Sequence, residues 1–377
     1  MGNEMSLRKH ISFRVNKSRK IGVIGTAKNT GKTTTISFLM KRSYQTGLPI
    51  AVTGIGYDGE AIDNLTLLPK PRLDVFPGLL IATAEECVRQ ANLKYDLIMT
   101  TEENTSLGKV QLIKVRSEGR ILLAGPNNTE SLERLLAPLG KKAPLILIDG
   151  ALGRMVPMSA ADAVIFATGA ARTTDISSLA SEMKAIQNIF HLEGFPNIPC
   201  PQKMPDHVCV HEENGREKTL PETSLLREKD GKALAQLLSD RSLYTYLPGA
   251  VTLAAWRGFF NENPKGLNRM IFYFRSPAML LAGGKPLEVW KNMEELLNRG
   301  VRASYLHPLP ILAVTINPFY PKQKGRRGLF EPAFVDENQL FKEFSRQLEL
   351  PLFNILKQGG ESLFKLVRSE SFSKEKI

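Results

Sequence analysis

The chain has 377 residues, of which 42% are hydrophobic, a size and composition that suit two globular domains and exclude wholesale disorder. Its 50 Lys and Arg residues outnumber 38 Asp and Glu residues, which gives a formal charge of +12. The basic residues are spread out and form no motif in which aromatic residues alternate with basic ones. This distribution favours a surface for nucleotides and an acidic protein partner over one for nucleic acid. No run approaches the ~18 to 20 apolar residues that cross a bilayer, so we expect no transmembrane helix and no membrane partner.

Short apolar runs alternate with helical stretches through the first half of the chain, which is the pattern of parallel βαβ units. "KIGVIG" predicts a strand, "GKTTTISFLMKRSYQTG" a helix that ends at Gly47, and "LPIAVTGIG" a second strand. Further strands are predicted at "GLLIATA", "YDLIMTT", "RILLAG", "APLILIDG" and "ADAVIFATG", and further helices at "EECVRQAN", "TESLERLLAPLG" and "DISSLASEMKAIQNIFHL". "APLILIDG" and "ADAVIFATG" are continuously apolar, which predicts that both strands are buried on both faces.

The amino-acid composition changes at the start of the second half of the chain. Residues 193–240 are rich in Pro and polar residues and contain a hairpin turn signal at Asn214-Gly215. Strand and helix patterns resume with "SLYTYLPGAVT", "LAAWRGFFNE", "RMIFYFRSPAMLLA", "LEVWKNMEELLNRG" and "ILAVTINPF". We therefore predict an α/β fold in three parts: a domain with a mostly parallel sheet over residues 1–192, a connecting region over 193–240, and a smaller C-terminal α/β domain with a basic helical tail over 241–377.

A phosphate-binding loop is predicted directly after the first strand. "GTAKNTGKTT" satisfies G-x-x-x-x-G-K-[ST], between an apolar strand and a helix-forming run. The glycines let the loop amides point inward at phosphate, and the helix adds its positive N-terminus. Lys32 should reach the β- and γ-phosphates, and the Thr33 hydroxyl should bind Mg²⁺. The predicted nucleotide-binding residues here are Gly25, Lys28, Asn29, Thr30, Gly31, Lys32, Thr33 and Thr34.

Carboxylates that could serve the metal follow two of the predicted strands. "LILIDG" places Asp149 at the end of an apolar run, the usual position of the aspartate that holds Mg²⁺ in P-loop enzymes. "GIGYDGEAIDN" places Asp58 and Glu60 after the second strand, where they could hold a metal-bound water or orient the attacking one; a solvated acidic turn is the alternative. The predicted metal ligands are Thr33, Asp58 and Asp149, and the predicted catalytic residues are Lys32, Asp58 and Glu60.

These motifs resemble two families of the SIMIBI class of P-loop NTPases. "GTAKNTGKTT" has the spacing of "GTDTxVGKT" in dethiobiotin synthetases, and "IDGALGRMVPM" is similar to their "VEGAGGxxxPL". Asp58 and Asn64 are similar to the Asp and Asn that follow the second strand of the partitioning-type ATPases. The resemblance covers about residues 20–190 and implies a P-loop NTPase domain. Asn317, at the end of "AVTIN", resembles the adenine-contacting Asn of the synthetases, which favours ATP over GTP.

The chain also departs from both families. The synthetases carry a "YKP" lysine for their amine substrate at the second strand, where this chain reads "TGIGYDG". The partitioning ATPases carry an extra lysine five residues before the P-loop lysine, and Ala27 occupies that position. The string as a whole, including "IGYDGE", "LPKPR" and the C-terminal α/β region, resembles the P-loop subunits of the reactivases of lysine 5,6-aminomutase, a cobalamin-dependent enzyme of lysine fermentation. That resemblance implies a second reactivase subunit and the aminomutase as protein partners.

We therefore predict a cytoplasmic, Mg²⁺-dependent P-loop ATPase that acts on a partner protein. The γ-phosphate would order the loop after the second strand, and hydrolysis would release it. Two alternatives stay open: an ATP-dependent carboxylate or carbamate ligase of the dethiobiotin-synthetase type, and a GTP-driven metallochaperone.

Cysteine usage and two clusters complete the list of candidates. Cys87, Cys200 and Cys209 are too few for a disulfide framework, and the charged N-terminal residues 1–20 show no secretory h-region, so reduced thiols are expected. His207, Cys209 and His211 alternate on one strand face; a polar hairpin surface is favoured there over a zinc or cobalt site. "KQKGRRG" is interpreted as a solvated basic loop, with contact to phosphate or to an acidic partner as the alternative.

Overall fold

The structure, a computed structural model, describes residues 18–56, 72–192, 205–325, 329–357 and 360–369. The strands are β1 Arg19–Gly25, β2 Ile50–Gly54, β3 Leu73–Val75, β4 Leu80–Ala84, β5 Tyr95–Thr105, β6 Gly108–Val115, β7 Gly119–Ile121, β8 Leu145–Ala151, β9 Ala163–Gly169, β10 Val208–Glu212, β11 Glu217–Leu220, β12 Ser242–Leu247, β13 Ile271–Phe274, β14 Arg302–Tyr305, β15 Ile311–Asn317, β16 Phe319–Gln323, β17 Phe330–Phe334 and β18 Leu352–Phe353. The helices are α1 Lys32–Thr46, α2 Glu85–Arg89, α3 Thr129–Gly140, α4 Ile176–Phe190, α5 Glu228–Leu237, α6 Leu253–Asn261, α7 Pro277–Leu281, α8 Pro286–Asn298, α9 Glu337–Gln347 and α10 Gly360–Ser369.

A nine-stranded sheet forms the centre of the molecule, in the order β18-β15-β9-β1-β8-β2-β4-β6-β5. The strands from β18 to β4 run parallel, while β6 and β5 pair antiparallel at one side. β8 and β9 are buried on both faces, as their continuous apolar runs predict, and β1 between them is buried in the same way. The predicted α/β fold with a mostly parallel sheet is confirmed.

A five-stranded sheet follows in the order β11-β10-β12-β13-β14, with β12, β13 and β14 parallel to one another. The predicted turn at Asn214-Gly215 joins β10 to β11, and Gly215 adopts φ +79°, a left-handed conformation that suits glycine. The chain then returns to the first sheet. β15 and β18 belong to residues 241–377, for which we predict a separate C-terminal domain, and both strands complete the nine-stranded sheet. The three-part division itself, with boundaries at residues 192 and 240, stays a prediction.

One hydrophobic core extends between the two sheets. Buried residues of the first sheet and α3, such as Ile24 and Leu135, belong to the same contiguous cluster as Trp256 and Phe274 beside the second sheet. The Tyr305 hydroxyl, at the end of β14, donates a buried hydrogen bond of 2.5 Å to the Ile189 carbonyl in α4. Trp256 and Phe259 of α6 and all three aromatic residues of β13 are buried in this core region.

Several predicted elements differ in extent or placement from the structure. "RILLAG" forms only the short strand β7, which pairs with β3 in a separate two-stranded sheet. β5 continues beyond "YDLIMTT" into the polar residues, because it pairs with β6 as a long edge hairpin. Residues 1–17, most of the charged N-terminal segment, lie outside the described residues. Among the helices of the described ranges, none has the length and apolar character needed to cross a membrane.

Candidate nucleotide-binding site

The predicted phosphate loop connects β1 to α1 at the carboxyl edge of the central sheet. Asn29 and Gly31 have φ values of +62° and +93°, and such left-handed residues turn successive amides toward one side of a loop. The Thr30 hydroxyl closes the turn by donating to the Ala27 carbonyl at 2.9 Å. Gly31 is the N-cap of α1 and has no side chain with which to cap it, so the first-turn amides can receive an anion.

Lys32 and Asp149 meet beside this loop. β8 lies parallel to β1 with Asp149 in register with Val23, which brings the carboxylate to the base of the loop. Lys32, the first residue of α1, places its Nζ 2.7 Å from Asp149 Oδ1. The Asp149 oxygen is buried, and within the described part of the chain it accepts no hydrogen bond of regular geometry beyond this ion-pair contact. The loop lysine and the strand-end aspartate are thus direct neighbours.

β15 supports the loop from the other side. The Asn317 side-chain amide donates to the Asn29 carbonyl at 3.0 Å, and the Asn317 Oδ1 accepts from the Phe319 amide at 3.2 Å. Two residues earlier, the Thr315 and Thr35 hydroxyls lie 3.1 Å apart, which joins β15 to the first turn of α1. Asn317 was predicted as a base contact by resemblance; in this structure its amide positions the loop, and the base contact stays a prediction.

A second cation lies at the rim of the loop and was missed by sequence reasoning. Arg172 follows β9 and donates to the Thr26 carbonyl at 3.5 Å. Its guanidinium is also paired with Glu182 at 2.7 Å, and the hydrogen bond to that carboxylate raises the pKa of Arg172 further above its ordinary range. The signal in the sequence is "AARTTD", which directly follows the fully buried strand β9.

The structure describes some of the other predicted site residues and not the rest. Thr33 lies between Lys32 and Thr34 in the first turn of α1, and Thr34 lines a groove between α1, the β3–β7 ribbon and residues 355–356. Lys28 and Asn29 are exposed at the loop surface. Asp58 and Glu60 lie outside the described residues, so their assignments as catalytic residues, and that of Asp58 as a metal ligand, stay predictions.

The donor atoms near the loop fit Mg²⁺. A Thr33 hydroxyl and an Asp149 carboxylate are hard oxygen ligands of the kind that Mg²⁺ prefers alongside waters and phosphates. The buried Asp149 Oδ1 has Lys32 as its counter-ion and no other described donor, so it has free acceptor capacity for a cation or for a cation-bound water. The two residues thus suit the metal, and their role as ligands stays a prediction.

The histidine and cysteine cluster lies away from the nucleotide loop, on the β10–β11 hairpin. Cys209 Sγ is 3.5 Å from His211 Nε2, and that nitrogen is 3.2 Å from Glu217 Oε2 on the facing strand. Burial first, and then the Glu217 charge, raise the pKa of the Cys209 thiol to about 12. The third member of this cluster is therefore Glu217, in place of the predicted His207.

Comparison with known proteins adds little to this geometry. No family model matches the chain, and no curated protein matches it. The structure of pNOB8 ParA bound to nonspecific DNA is 12% identical and covers 75% of this chain and 99% of its own, with a TM-score of 0.24. The structure of pNOB8 ParA is 13% identical with the same coverage and a TM-score of 0.23. At these TM-scores the likeness carries no conclusion, and the site rests on its own residues.

Proposed function

We propose that this chain is a Mg²⁺-dependent P-loop ATPase that binds its nucleotide on residues 25–34 and acts on a partner protein. The observation that carries the proposal is the Lys32–Asp149 ion pair at the base of a glycine loop that opens helix α1. A lysine at a helix N-terminus can neutralise phosphate charge, and an aspartate on the neighbouring strand can hold the metal that accompanies the phosphate.

An exchange of partners explains how the pair would work. In the structure, the Lys32 ammonium lies 2.7 Å from Asp149 Oδ1 and neutralises that carboxylate. When the polyphosphate occupies the loop amides, Lys32 turns from the carboxylate to the phosphate oxygens, and Asp149 is released to hold the metal with the Thr33 hydroxyl. Mg²⁺, when bound, neutralises charge on the phosphate oxygens. Both buried charges keep a counter-ion throughout, which avoids the cost of an unpaired charge in a half-buried site.

The ribbon β16–β17 offers a route from the nucleotide loop to a partner. Asn317 contacts the loop carbonyl of Asn29, and the ribbon begins two residues later at Phe319. Its exposed residues lie on two faces: Phe330 and Phe334 are on one, and Lys322, Lys324 and Leu329 are on the other, where Glu331 lies 3.5 Å from Lys324. The exposed apolar face suits burial against a partner protein, and the lysines on the other face suit acidic groups of that partner. This supports an interaction role for part of the predicted basic loop; residues 326–328 lie outside the described residues.

The specific function that we propose is that of the P-loop subunit of a reactivase for cobalamin-dependent lysine 5,6-aminomutase. The support is the resemblance of the whole string, together with a nucleotide loop that is linked to an exposed ribbon. In this proposal, ATP binding and hydrolysis shift the loop and the ribbon, and a second subunit and the aminomutase respond.

The test measures ATP binding and hydrolysis by the purified chain. Lys32→Ala should weaken Mg·ATP binding by at least ~10-fold, since a charge-assisted contact contributes about 1.5–3 kcal/mol. Lys41→Ala is the matched control: it removes an exposed lysine from the same helix and should bind normally. Equal binding by wild type and Lys32→Ala would refute the nucleotide site.

The partner is tested separately from the site. Slow hydrolysis that rises when a cobalamin-dependent aminomutase is added supports the reactivase. Hydrolysis that requires an added acid and amine indicates a ligase instead, and a requirement for GTP indicates the metallochaperone class.

A further inference from the structure

We propose a second ligand site, for one zinc-type divalent cation, formed by Cys209, His211 and Glu217 on the β10–β11 hairpin. These side chains offer a thiol sulfur, an imidazole nitrogen and a carboxylate oxygen, and the three ligand atoms lie within 4.8 Å of one another. The mixed S, N and O set is typical of Zn²⁺ and of its substitute Co²⁺, and not of Mg²⁺.

The measured separations agree with the edges of a coordination tetrahedron. With Zn–S near 2.3 Å and Zn–N near 2.05 Å, tetrahedral angles place sulfur and nitrogen about 3.5 Å apart, and nitrogen and oxygen about 3.3 Å apart. The observed distances are 3.5 Å between Cys209 Sγ and His211 Nε2, and 3.2 Å between His211 Nε2 and Glu217 Oε2. The sulfur and the carboxylate oxygen lie within 4.8 Å of each other, and closing that third edge to about 3.5 Å would complete the tetrahedral set.

The backbone places the three residues by two regular rules. Cys209 and His211 are two residues apart on β10, so both side chains point to the same face of the sheet. β11 pairs antiparallel with β10 and sets Glu217 directly opposite His211. The His211 ring is also held by stacking on Tyr244, with centroids 4.3 Å apart. The ligands are thus pre-organised by the hairpin and by one aromatic neighbour.

Burial and charge indicate a site with one open coordination position. Cys209 is fully buried, His211 is half-buried, and the Glu217 side chain is 43% exposed at the edge of the sheet. A cation would displace the thiol proton to solvent, and a thiolate and a carboxylate would then balance its two charges. The exposed side leaves room for water or an exogenous ligand, as in zinc sites with three protein ligands.

Cobalt titration of the full-length, chelator-treated chain tests this proposal. Wild type should bind one equivalent of Co²⁺, with the visible d–d bands of a tetrahedral ion and a thiolate-to-cobalt charge-transfer band, and Zn²⁺ should bleach both. Cys209→Ser should lose the charge-transfer band. Glu217→Gln, an isosteric change at an exposed position, should bind Co²⁺ at least ~10-fold more weakly. His207→Ala and Cys87→Ala should bind as wild type does.

Three results would overturn the proposal. They are the absence of cobalt bands in the wild type, a charge-transfer band that survives Cys209→Ser, and unchanged affinity in Glu217→Gln. Far-UV circular dichroism of the metal-free variants identifies misfolding, and Glu217→Gln gives a test outside the core. Lys32→Ala should keep the cobalt site intact, so failure here and failure of the proposed ATPase site are distinguishable.

Discussion

In the proposed function, the Lys32 side chain has two competing partners, the Asp149 carboxylate and the phosphates of a nucleotide. Its Nζ lies 2.7 Å from Asp149 Oδ1, and both side chains are about a quarter exposed. This competition gives separate predictions for the two residues, because in the proposed function Lys32 would bind phosphate and Asp149 would bind the metal.

Asp149→Asn should separate metal dependence from nucleotide binding. The change frees Lys32 and removes a negative charge near the loop, so ATP without metal should bind as well as in wild type or better. The gain in affinity from Mg²⁺ should fall by about 10- to 100-fold, since a charged contact of about 1.5–3 kcal/mol is lost. Isothermal titration of ATP with and without Mg²⁺ measures both quantities.

Asp162→Asn is the matched control for that variant. Asp162 accepts from the Lys20 amide at 2.8 Å and lies just before β9, at the opposite edge of the sheet from the loop. It should leave both affinities unchanged. An Asp149→Asn chain with a full magnesium gain would show that another group holds the metal.

The sequence predicts the local part of this site and not its long-range supports. Lys32 belongs to a contiguous motif, and Asp149 ends a buried strand, so both can be assigned from short windows. The Asn317–Asn29 hydrogen bond joins residues 288 positions apart, and the placement of β15 beside β9 depends on the tertiary fold. Arg172 was missed for the same reason.

At the scale of single elements, helix α1 begins and ends at glycines with positive φ. Gly31 has φ +93° at the N-cap and Gly47 has φ +68° at the C-cap. An alanine Cβ at Gly31 would be 3.5 Å from Asn317 Cβ, an ordinary contact, and at Gly47 it would meet no atom within 4 Å among the described residues. The cost of either substitution is therefore set by the backbone.

Gly31→Ala and Gly47→Ala should each lower the free energy of unfolding by about 1 kcal/mol, since an L-residue is strained in the left-handed region. Only Gly31→Ala should also weaken ATP binding, because only its amide belongs to the loop. Urea unfolding and ATP titration compare the pair. Equal ATP affinity in the two variants would contradict a role for the loop backbone.

An ion pair between strand β5 and helix α3 gives the chain an acid-sensitive contact. Arg134 donates two hydrogen bonds to the Glu103 carboxylate, at 2.7 and 3.0 Å, and these hold the pKa of Glu103 below its ordinary value of 4.5. Because the pKa is depressed in the folded chain, this stabilisation is present above pH 4.5 and is lost as the pH falls below it.

Glu103→Gln should therefore flatten the loss of thermal stability between about pH 5 and pH 3, while lowering stability at pH 7. Glu102→Gln changes an exposed neighbour that pairs with Lys109, and should keep the wild-type pH profile. Melting temperatures measured across that range by circular dichroism test the pair. Parallel pH profiles for wild type and Glu103→Gln would refute the assignment.

The register of the β10–β11 hairpin shows which features a turn signal in the sequence can predict and which it cannot. The Asn214-Gly215 signal correctly locates the turn, but a two-residue turn would pair His211 with Lys218. In the structure, the Glu212 amide donates to the Arg216 carbonyl, which makes a three-residue loop and sets Glu217 opposite His211. A shift of one residue replaces a lysine by a carboxylate beside the imidazole, so the ligand set could not be predicted from the turn signal alone.

On the scale of the whole molecule, the chain leaves the first sheet after β9 and returns to it at β15. Composition predicts the change near residue 193, but no local pattern shows that "ILAVTINPF" pairs with β9 and not with its neighbours in sequence. The shared core and the buried Tyr305–Ile189 hydrogen bond imply that both sheets unfold together.

The two tryptophans of the chain make that coupling measurable: Trp256 in α6 stacks on Phe272 of β13 in the second sheet, and Trp290 lies in α8, which packs against α6 and α4. Tryptophan fluorescence therefore reports unfolding of that region, whereas the proposed nucleotide site lies on the first sheet. If both sheets belong to one cooperative unit, Mg·ATP at about 100 times its Kd should add about 2.7 kcal/mol to the free energy of unfolding. The unfolding transition measured by fluorescence should then shift as much as the one measured by circular dichroism. Lys32→Ala should show neither shift, which separates binding at the loop from nonspecific effects of the nucleotide. If Mg·ATP shifts the unfolding transition measured by circular dichroism and leaves the one measured by fluorescence unchanged, the two sheets belong to independent domains.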